Sequence, residues 1–257
     1  MSLRGAARRI PFEAAIPDIF IIAGQSNNSG RGTNPQSYSH ATLTAYLYGN
    51  DYVYKELADP MDANTNQVDA VSGDADAAGS YVPLLATQIM ASTGKPVVFV
   101  PCAKGGTSIT DWQPKTNHYD RTTLYGSMAY RTSLMKLIGN VRGVIWWQGE
   151  REVVLGTEQA TYNAALDALA NAIKTDLDIP TIVCKLEDMS TYLTGYDNSA
   201  VNAAIAEAWA DNANVKKGAD FSDVTPAGDG VHLASDEELG IAADRWWVAI
   251  KAVFGWS

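Results

Sequence analysis

The sequence predicts an α/β fold, a three-layer α/β/α sandwich in which helices cover both faces of a parallel sheet. Short apolar runs typical of buried strands alternate with helical segments along the chain. The 257 residues are within the range of one large domain, and neither a repeat nor a linker is visible. Hydrophobic residues make up 46% of the chain and charged residues 19%, which is typical of a packed globular protein. We therefore expect residues 1–257 to form a single domain.

Five main strands are expected, because five short apolar runs are bounded by polar residues, glycine or proline. The run at 96–100 is apolar throughout, as expected for a strand covered on both faces. The predicted strands are residues 19–23, 43–48, 96–100, 143–147 and 181–186, and a short strand at 215–217 is expected after them.

Helices are expected between these strands, where apolar residues recur with helical spacing. Gly94 is expected to end the first helix, and Ser235 with Glu238 has the form of a capping box at the start of the last. Two stretches, near 59–80 and 103–124, are expected to be long loop inserts at the active-site edge. The predicted helices are 81–92, 125–138, 157–177, 198–212 and about 235–254.

The net charge of −10 bears on the possible partners. An acidic chain disfavours nucleic acid, which prefers a basic surface, and disfavours anionic membranes. A neutral substrate fits best, although a local basic patch could still hold an anion. The longest apolar runs are far shorter than the ~20 residues that a membrane span needs.

Targeting and redox signals leave the compartment open. The first apolar run, after Arg4, Arg8 and Arg9, leads directly into Ser26. A cleaved signal peptide there would remove that serine, so none is expected in this chain. The two cysteines, Cys102 and Cys184, are expected to be buried free thiols, and neither has metal-ligand spacing. The oligomeric state is not predicted.

A serine directly after the first strand is the candidate nucleophile. Ser26 follows the run 19–23 at the carboxyl end of a parallel strand, where α/β proteins bind ligands. A serine hydroxyl needs a base, and the base needs an orienting acid. His232 and Asp229 are three residues apart, and glycines on both sides of Asp229 allow a tight turn, so one short loop can supply both. Glu150 is an alternative acid.

Hydrolysis of an ester also needs donors for the oxyanion. The backbone N–H of Ser26 is one, and the backbone of Gly105 or Gly106, just past the third strand, offers another. Gln148, just past the fourth strand, offers a side-chain amide. Neither a metal motif nor a phosphate-binding loop competes with this interpretation, so no cofactor is expected.

Four short blocks resemble the SGNH (GDSL-like) hydrolases, most closely the carbohydrate acetylesterase and sialate O-acetylesterase branch. They read Gly24–Asn27, Gly105–Thr107, Trp146–Glu150 and Asp229–His232, in the order that this branch has them. They extend over nearly the whole chain. The resemblance implies a flavodoxin-like sheet of about five strands in the order 2-1-3-4-5.

The resemblance also implies roles for individual residues. Ser26 would be the nucleophile, His232 the base and Asp229 the acid, while some members of the branch give the acid role to the residue matching Glu150. Gln148 would take the place held by asparagine in other SGNH enzymes. Asn28, where methionine is usual, and Arg151 after Glu150 are departures that bear on the pocket wall, and Arg151 could pair with Glu150 or meet an anionic substrate group.

The expected substrate-binding residues lie near these blocks. The candidates for stacking on a sugar are Trp112, Tyr119, Tyr125 and Trp147. For Tyr125 and Trp147, a place in the aromatic core is an equally good explanation. The substrate-binding set is Gln25, Asn27, Trp112, Tyr119 and Arg151.

The expected function is that of a serine esterase that removes acetyl groups from a saccharide through an acyl-enzyme on Ser26. A lipid or thioester acyl hydrolase is the first alternative, but such an enzyme would need an apolar tunnel near Ser26 for the acyl chain. A non-catalytic glycan-binding module is the second. The partner is then an acetylated saccharide or polysaccharide, with no cofactor.

Overall fold

The protein is described here by a computed structural model that covers residues 15–192 and 196–257. The arginines near the N-terminus lie outside the described residues. The strands are β1 (Asp18–Gly24), β2 (Ala45–Tyr48), β3 (Tyr54–Glu56), β4 (Val97–Pro101), β5 (Asn140–Trp147), β6 (Thr181–Lys185) and β7 (Val215–Asp220). The helices are α1 (Ser26–Ser29), α2 (Val82–Thr93), α3 (Leu124–Met135), α4 (Glu150–Leu155), α5 (Gln159–Leu177), α6 (Ser199–Asp211) and α7 (Asp236–Phe254).

The strands of the described chain form one sheet in the order β3-β2-β4-β1-β5-β6-β7. All neighbouring pairs are parallel except β2 with β3. Helices α3, α5 and α6 pack together, and α2 packs on α7, so two helical layers enclose the sheet. The predicted α/β/α sandwich is therefore confirmed.

The prediction of five strands was wrong in number, since the sheet has seven among the described residues. The order 2-1-3-4-5 is present as β4-β1-β5-β6-β7, so the run at 43–48 is not the second core strand. It contains β2, which turns back into antiparallel β3 and extends the sheet beyond β4. The crossover helix is α2, which leads into β4 beside β1. The short strand expected at 215–217 is the fifth core strand, β7.

Local end signals act as predicted. Gly94 ends α2 in the left-handed conformation with φ +64°. Ser235 accepts a hydrogen bond from the Glu238 N–H, and the Glu238 side chain accepts one from the Ser235 N–H, which completes the capping box of α7. Both cysteines are buried and free, as expected. In the described part of the chain, no helix is both long enough and apolar enough to cross a bilayer.

Strand β1 places the candidate nucleophile. It lies at the centre of the sheet between β4 and β5, and every residue in it is buried. Gly24 ends it with φ +118°, and a Cβ there would lie 2.0 Å from the carbonyl oxygen of Trp147. Only glycine fits this close approach, and the chain leaves the sheet here to begin α1 at Ser26.

Candidate active site

Three side chains meet above the carboxyl end of β1. The Nε2 atom of His232 lies 2.8 Å from the Oγ atom of Ser26. The Nδ1 atom of the same ring lies 2.5 Å from Oδ2 of Asp229. The structure thus brings together the predicted nucleophile, base and acid, although 206 residues separate Ser26 from His232. Hydroxyl, imidazole and carboxylate in this order have the geometry of a serine-hydrolase triad.

A tight turn aims the imidazole. The Oδ1 atom of Asp229 accepts hydrogen bonds from the backbone N–H groups of Val231 at 2.9 Å and His232 at 2.8 Å. Gly230 has φ +79°, and a Cβ there would lie 2.7 Å from the backbone nitrogen of Tyr192. One carboxylate therefore holds the turn with one oxygen and the imidazole with the other.

The charge of Asp229 is stabilised by the same bonds. Its partial burial would by itself raise its pKa, but the backbone N–H groups of His232 and Val231 and the His232 ring outweigh burial and lower the pKa below its usual value. The side chain remains half exposed. Asp229 is therefore ionised at neutral pH, as the orienting acid of a triad must be.

Asn27 holds the backbone on both sides of the base. Its Nδ2 group donates to the carbonyl oxygen of Val231 at 3.2 Å, and its Oδ1 accepts from the N–H of Leu233 at 3.1 Å. Asn27 is buried and is not on the wall of the cleft. The expectation that Asn27 binds substrate is thus not met, because its amide is used within the protein to fix the His232 loop beside Ser26.

Substitution of Asn27 with alanine is expected to lower kcat/KM about 100-fold, since a misplaced base loses its near-attack geometry. It should also cost about 2 kcal/mol of stability, because buried partners lose their hydrogen bonds. Asn28→Ala is the matched control. Asn28 is equally buried and bonds Ala23, Ile145 and Tyr81 instead of the His232 loop.

Kinetics and thermal unfolding of both variants test this role of Asn27. Asn28→Ala should lose comparable stability but keep kcat/KM within about fivefold. Similar losses of kcat/KM in the two variants would show that Asn27 has no particular role in holding the base.

Glu150, the alternative acid, lies elsewhere. Its Oε1 accepts a hydrogen bond from Nδ2 of Asn27 at 2.9 Å. Among the described residues no hydrogen bond joins it to His232, and Arg151 forms no ion pair with it. The geometry therefore favours Asp229 as the acid, whereas Glu150 contacts Asn27.

The four predicted oxyanion donors are not equally available. The N–H of Ser26 is in the first turn of α1, where N–H groups have no intrahelical partner. Gly106 lies on the cleft wall with φ +71°. The N–H of Gly105, in contrast, donates to Oδ2 of Asp74 at 2.8 Å. The accessible backbone donors are therefore those of Ser26 and Gly106.

The structure does not bring Gln148 into the cleft. It is fully buried, and its amide nitrogen donates to Glu152 and, at 3.2 Å, to the carbonyl oxygen of Thr107. Its Oε1 accepts from the Tyr162 hydroxyl at 3.2 Å. The expectation of a side-chain oxyanion donor here fails because Glu152, one helical turn on, takes the amide.

Asp74 joins the first loop insert to the site. Its Oδ2 accepts from Gly105, from the Ser29 hydroxyl at 2.8 Å and from Nη2 of Arg31 at 2.9 Å. Burial would raise the pKa of Asp74, but Arg31 and the N–H groups of Asp76 and Gly105 lower it to about 2. This carboxylate therefore holds α1 and the Gly105 loop in one arrangement.

The cleft around Ser26 has a volume of about 430 Å³. Arg31, Arg151, Asp76 and Glu150 give it charged walls, and its apolar contacts come from Val154, Met189, Val231 and Tyr192. Two expected substrate-binding residues line it, Gln25 and Arg151. The Oε1 atom of Gln25 also accepts from the N–H of Arg151 at 3.3 Å, which holds the start of α4.

The predicted aromatic residues lie outside the cleft. Trp112 is fully buried, and its ring packs edge-on against Trp146 with centroids 5.1 Å apart. Tyr119 is exposed, but its hydroxyl donates to the carbonyl oxygen of Asp176. Tyr125 and Trp147 are buried in the core, which was the alternative to sugar stacking for both residues.

Asn28 also lies away from the cleft wall. It is buried, and it ties α1 to β1 and β5 through the carbonyl oxygens of Ala23 and Ile145.

Sequence reasoning missed Arg31, Asp74 and Tyr192. Arg31 lies between two glycines soon after Ser26, and that proximity is the one signal that could have singled it out. Asp74 is one of several acids in a polar insert, and Tyr192 is in a loop after β6. In the described part of the chain no cluster of three or more His, Cys, Asp or Glu side chains is arranged to hold a metal ion.

A parallel α/β sandwich with a Ser–His–Asp constellation at the central strand end defines a candidate hydrolase. Residues 17–244 match the family model described as carbohydrate esterase, sialic acid-specific acetylesterase. The chain belongs to this family of carbohydrate esterases. This confirms the resemblance drawn from the four blocks, together with the enzyme class expected from it, that of the carboxylic ester hydrolases.

One relative and its solved structure are similar to this chain. A probable carbohydrate esterase of Arabidopsis thaliana is 26% identical over an alignment of 185 residues, and the match covers 64% of this chain and 65% of that protein's length. The solved structure of the Arabidopsis protein is similar with a TM-score of 0.70 and 21% identity, over 93% of this chain and 100% of that one.

Two further solved structures share the fold. A carbohydrate acetylesterase from Xanthomonas citri has a TM-score of 0.65 at 18% identity, over 93% of this chain and 57% of that one. NanS has a TM-score of 0.64 at 17% identity, over 93% of this chain and 98% of that one.

Proposed function

We propose that this chain is a serine esterase that removes acetyl groups from a carbohydrate through an acyl-enzyme on Ser26. The observation that carries the proposal is the His232 ring, with Nε2 2.8 Å from the Ser26 hydroxyl and Nδ1 2.5 Å from Asp229. A hydroxyl so placed can lose its proton to the ring as it attacks a carbonyl carbon.

The proposed reaction has two halves. Oγ of Ser26 attacks the ester carbonyl while Nε2 of His232 takes its proton, and the N–H groups of Ser26 and Gly106 stabilise the oxyanion. The tetrahedral intermediate collapses, the ring protonates the sugar oxygen, and the alcohol leaves. Water then gives a proton to His232 and attacks the acyl-enzyme. Acetate leaves as Ser26 regains its proton.

The walls of the cleft support a small acyl group on a polar substrate. The charged side chains of Arg31, Asp76 and Arg151 line the cleft around the serine. A long alkyl chain would remove water from these charges, which is unfavourable. Sugar hydroxyls can instead hydrogen-bond to them. The structural neighbour from Xanthomonas citri is a carbohydrate acetylesterase, which agrees with this substrate class.

A panel of esters tests the acyl preference. We expect kcat/KM for p-nitrophenyl acetate to exceed that for p-nitrophenyl octanoate about 100-fold, because the mostly polar cleft offers the longer chain few apolar contacts. Acetate release from acetylated xylan, pectin and O-acetylated sialic acid then identifies the sugar. Equal rates on the two p-nitrophenyl esters would favour the lipid or thioester hydrolase instead.

The glycan-binding alternative makes a different prediction. A non-catalytic module would release no acetate from any ester of the panel while it still bound a saccharide. It would also leave the Ser26 hydroxyl unreactive toward a fluorophosphonate.

A further inference from the structure

Two buried glutamates behind Asn27 take no part in the proposed reaction. Glu150, at the start of α4, is 2% exposed and reaches the cleft wall, and Glu187, after β6, is fully buried. The Nδ2 group of Asn27 donates to the Oε1 atoms of both, at 2.9 Å and 3.2 Å. Two carboxyl groups therefore share one amide nitrogen, and that amide holds the loop of the candidate base.

Among residues 15–192 and 196–257, no cation balances the two charges of this pair. Oε2 of Glu187 accepts from the indole N–H of Trp147 at 3.2 Å, and Oε2 of Glu150 is buried without a hydrogen-bond partner. The titratable groups that face the pair are Glu152 on α4, Tyr162 on α5 and Cys184 on β6. In the described part of the chain neither glutamate forms an ion pair with lysine or arginine.

Two negative charges that share one amide in a buried site repel each other and lack solvation. The state in which the pair binds one proton therefore has the lower free energy. We infer that Glu150 and Glu187 hold a proton between them at neutral pH and act as positioning residues, aligning Asn27 and with it the loop that carries His232. This inference rests on the proposed function only in naming His232 as the base.

The electrostatics agree with this geometry. Burial raises the pKa of Glu150 to about 7, and the charge of Glu152 adds to the effect. Burial raises the pKa of Glu187 well above its usual value, and the neighbouring Glu150 raises it further. When the shared proton leaves at alkaline pH, the two carboxylates repel each other across the Asn27 amide. The His232 loop then loses its fixed position, and the rate falls.

The pH dependence of kcat/KM tests the pair. The unmodified enzyme should lose activity on the alkaline side, and Glu150→Gln should move this alkaline limb upward by at least one pH unit. The substitution keeps an oxygen for Asn27 and places its NH2 where Oε2 has no partner. Glu187→Gln should move the limb in the same direction.

Glu152→Gln is the matched control. Glu152 is also buried on α4, but it bonds Gln148 and the N–H of Ile109 rather than Asn27. The alkaline limb of this variant should not move upward, because loss of the Glu152 charge can only lower the pKa of Glu150. An unmoved limb in Glu150→Gln, or an equal shift in Glu152→Gln, would overturn the inference.

Thermal unfolding gives a readout that needs no activity. A carboxyl whose pKa is raised by folding stabilises the protein fully below its unfolded pKa, about 4.5, and this stability is lost as pH rises through the folded value, about 7. Relative to the unmodified protein, the Tm of Glu150→Gln should therefore rise between pH 4.5 and pH 8, by on the order of 5 °C. A constant Tm difference would contradict the shared proton.

The two readouts separate the inference from the proposed function. Loss of all esterase activity in the unmodified protein, with the Tm shift present, would overturn the function and leave the proton-sharing pair. Normal esterase activity, with neither the shift of the alkaline limb nor the Tm shift, would support the function and overturn the proton-sharing pair.

Discussion

Replacement of Ser26 with alanine is expected to lower kcat/KM for acetyl esters by about 10⁴-fold or more. The whole proposed chemistry passes through the bond that Oγ forms with the ester carbon, and alanine cannot form it. The fold should be little affected, because the hydroxyl's side-chain partner is His232 at the edge of the cleft. The measurement is steady-state kinetics on p-nitrophenyl acetate together with thermal unfolding.

Ser133→Ala serves as the control for this substitution. The Ser133 hydroxyl bonds the carbonyl oxygen of Ala129 within α3, away from the cleft. Its kcat/KM should equal that of the unmodified enzyme. Acetate release by Ser26→Ala at more than about a tenth of the normal rate would rule out the acyl-enzyme on this serine.

Replacement of Asp229 with asparagine is expected to reduce kcat by about 10³–10⁴-fold. The asparagine oxygen can still accept from the N–H groups of Val231 and His232, so its NH2 faces Nδ1 of the ring. Nδ1 must then accept, and Nε2 carries the proton toward Ser26. A ring in this tautomer cannot take the proton of the serine hydroxyl.

The chain contains a matched control for this variant. His118 and Asp176 form a second pair, with Nδ1 and Oδ2 2.6 Å apart, outside the cleft. Asp176→Asn breaks the same kind of contact and should leave kcat within about twofold. If Asp229→Asn were no more harmful than Asp176→Asn, then Asp229 would not be the acid of the triad.

The pH dependence of the Asp229 contribution has a defined sign. Its pKa is lowered in the folded protein, so the carboxylate that bonds the His232 ring is present above the usual aspartate range and is lost only as pH falls below it. A loss of activity between pH 8 and pH 5 therefore has to come from another group.

Local pattern predicted the strands better than their places in the sheet. The run at 43–48 does contain β2, because alternating and apolar residues favour extended backbone. Its position depends on the connections, and the crossover helix α2 comes after the β2–β3 hairpin rather than before it. Strand order is a property of these connections, which the pattern of a single strand does not contain.

For the site, the sequence motifs predicted the parts that one short segment supplies. Ser26 follows a strand, and Asp229, with a glycine on each side, lies three residues before His232. The structure brings the three side chains within hydrogen-bond distance. Their catalytic roles stay a prediction.

The cleft walls could not be predicted in the same way. Trp112 is in a loop in sequence, but its ring packs into the core against Trp146. Gln148 is at a strand end, but its amide is taken by Glu152. These outcomes depend on tertiary partners from distant segments.

The central claim is that Ser26 is activated by His232, and fluorophosphonate labelling measured by intact mass and peptide mapping tests it most directly. We expect one phosphonyl group per chain, located on Ser26, and a labelling rate at least about 100-fold lower in His232→Ala. His118→Ala, at the second His–Asp pair, should label at the normal rate. An active protein that carries no label on Ser26, or one that labels equally fast without His232, would contradict the account.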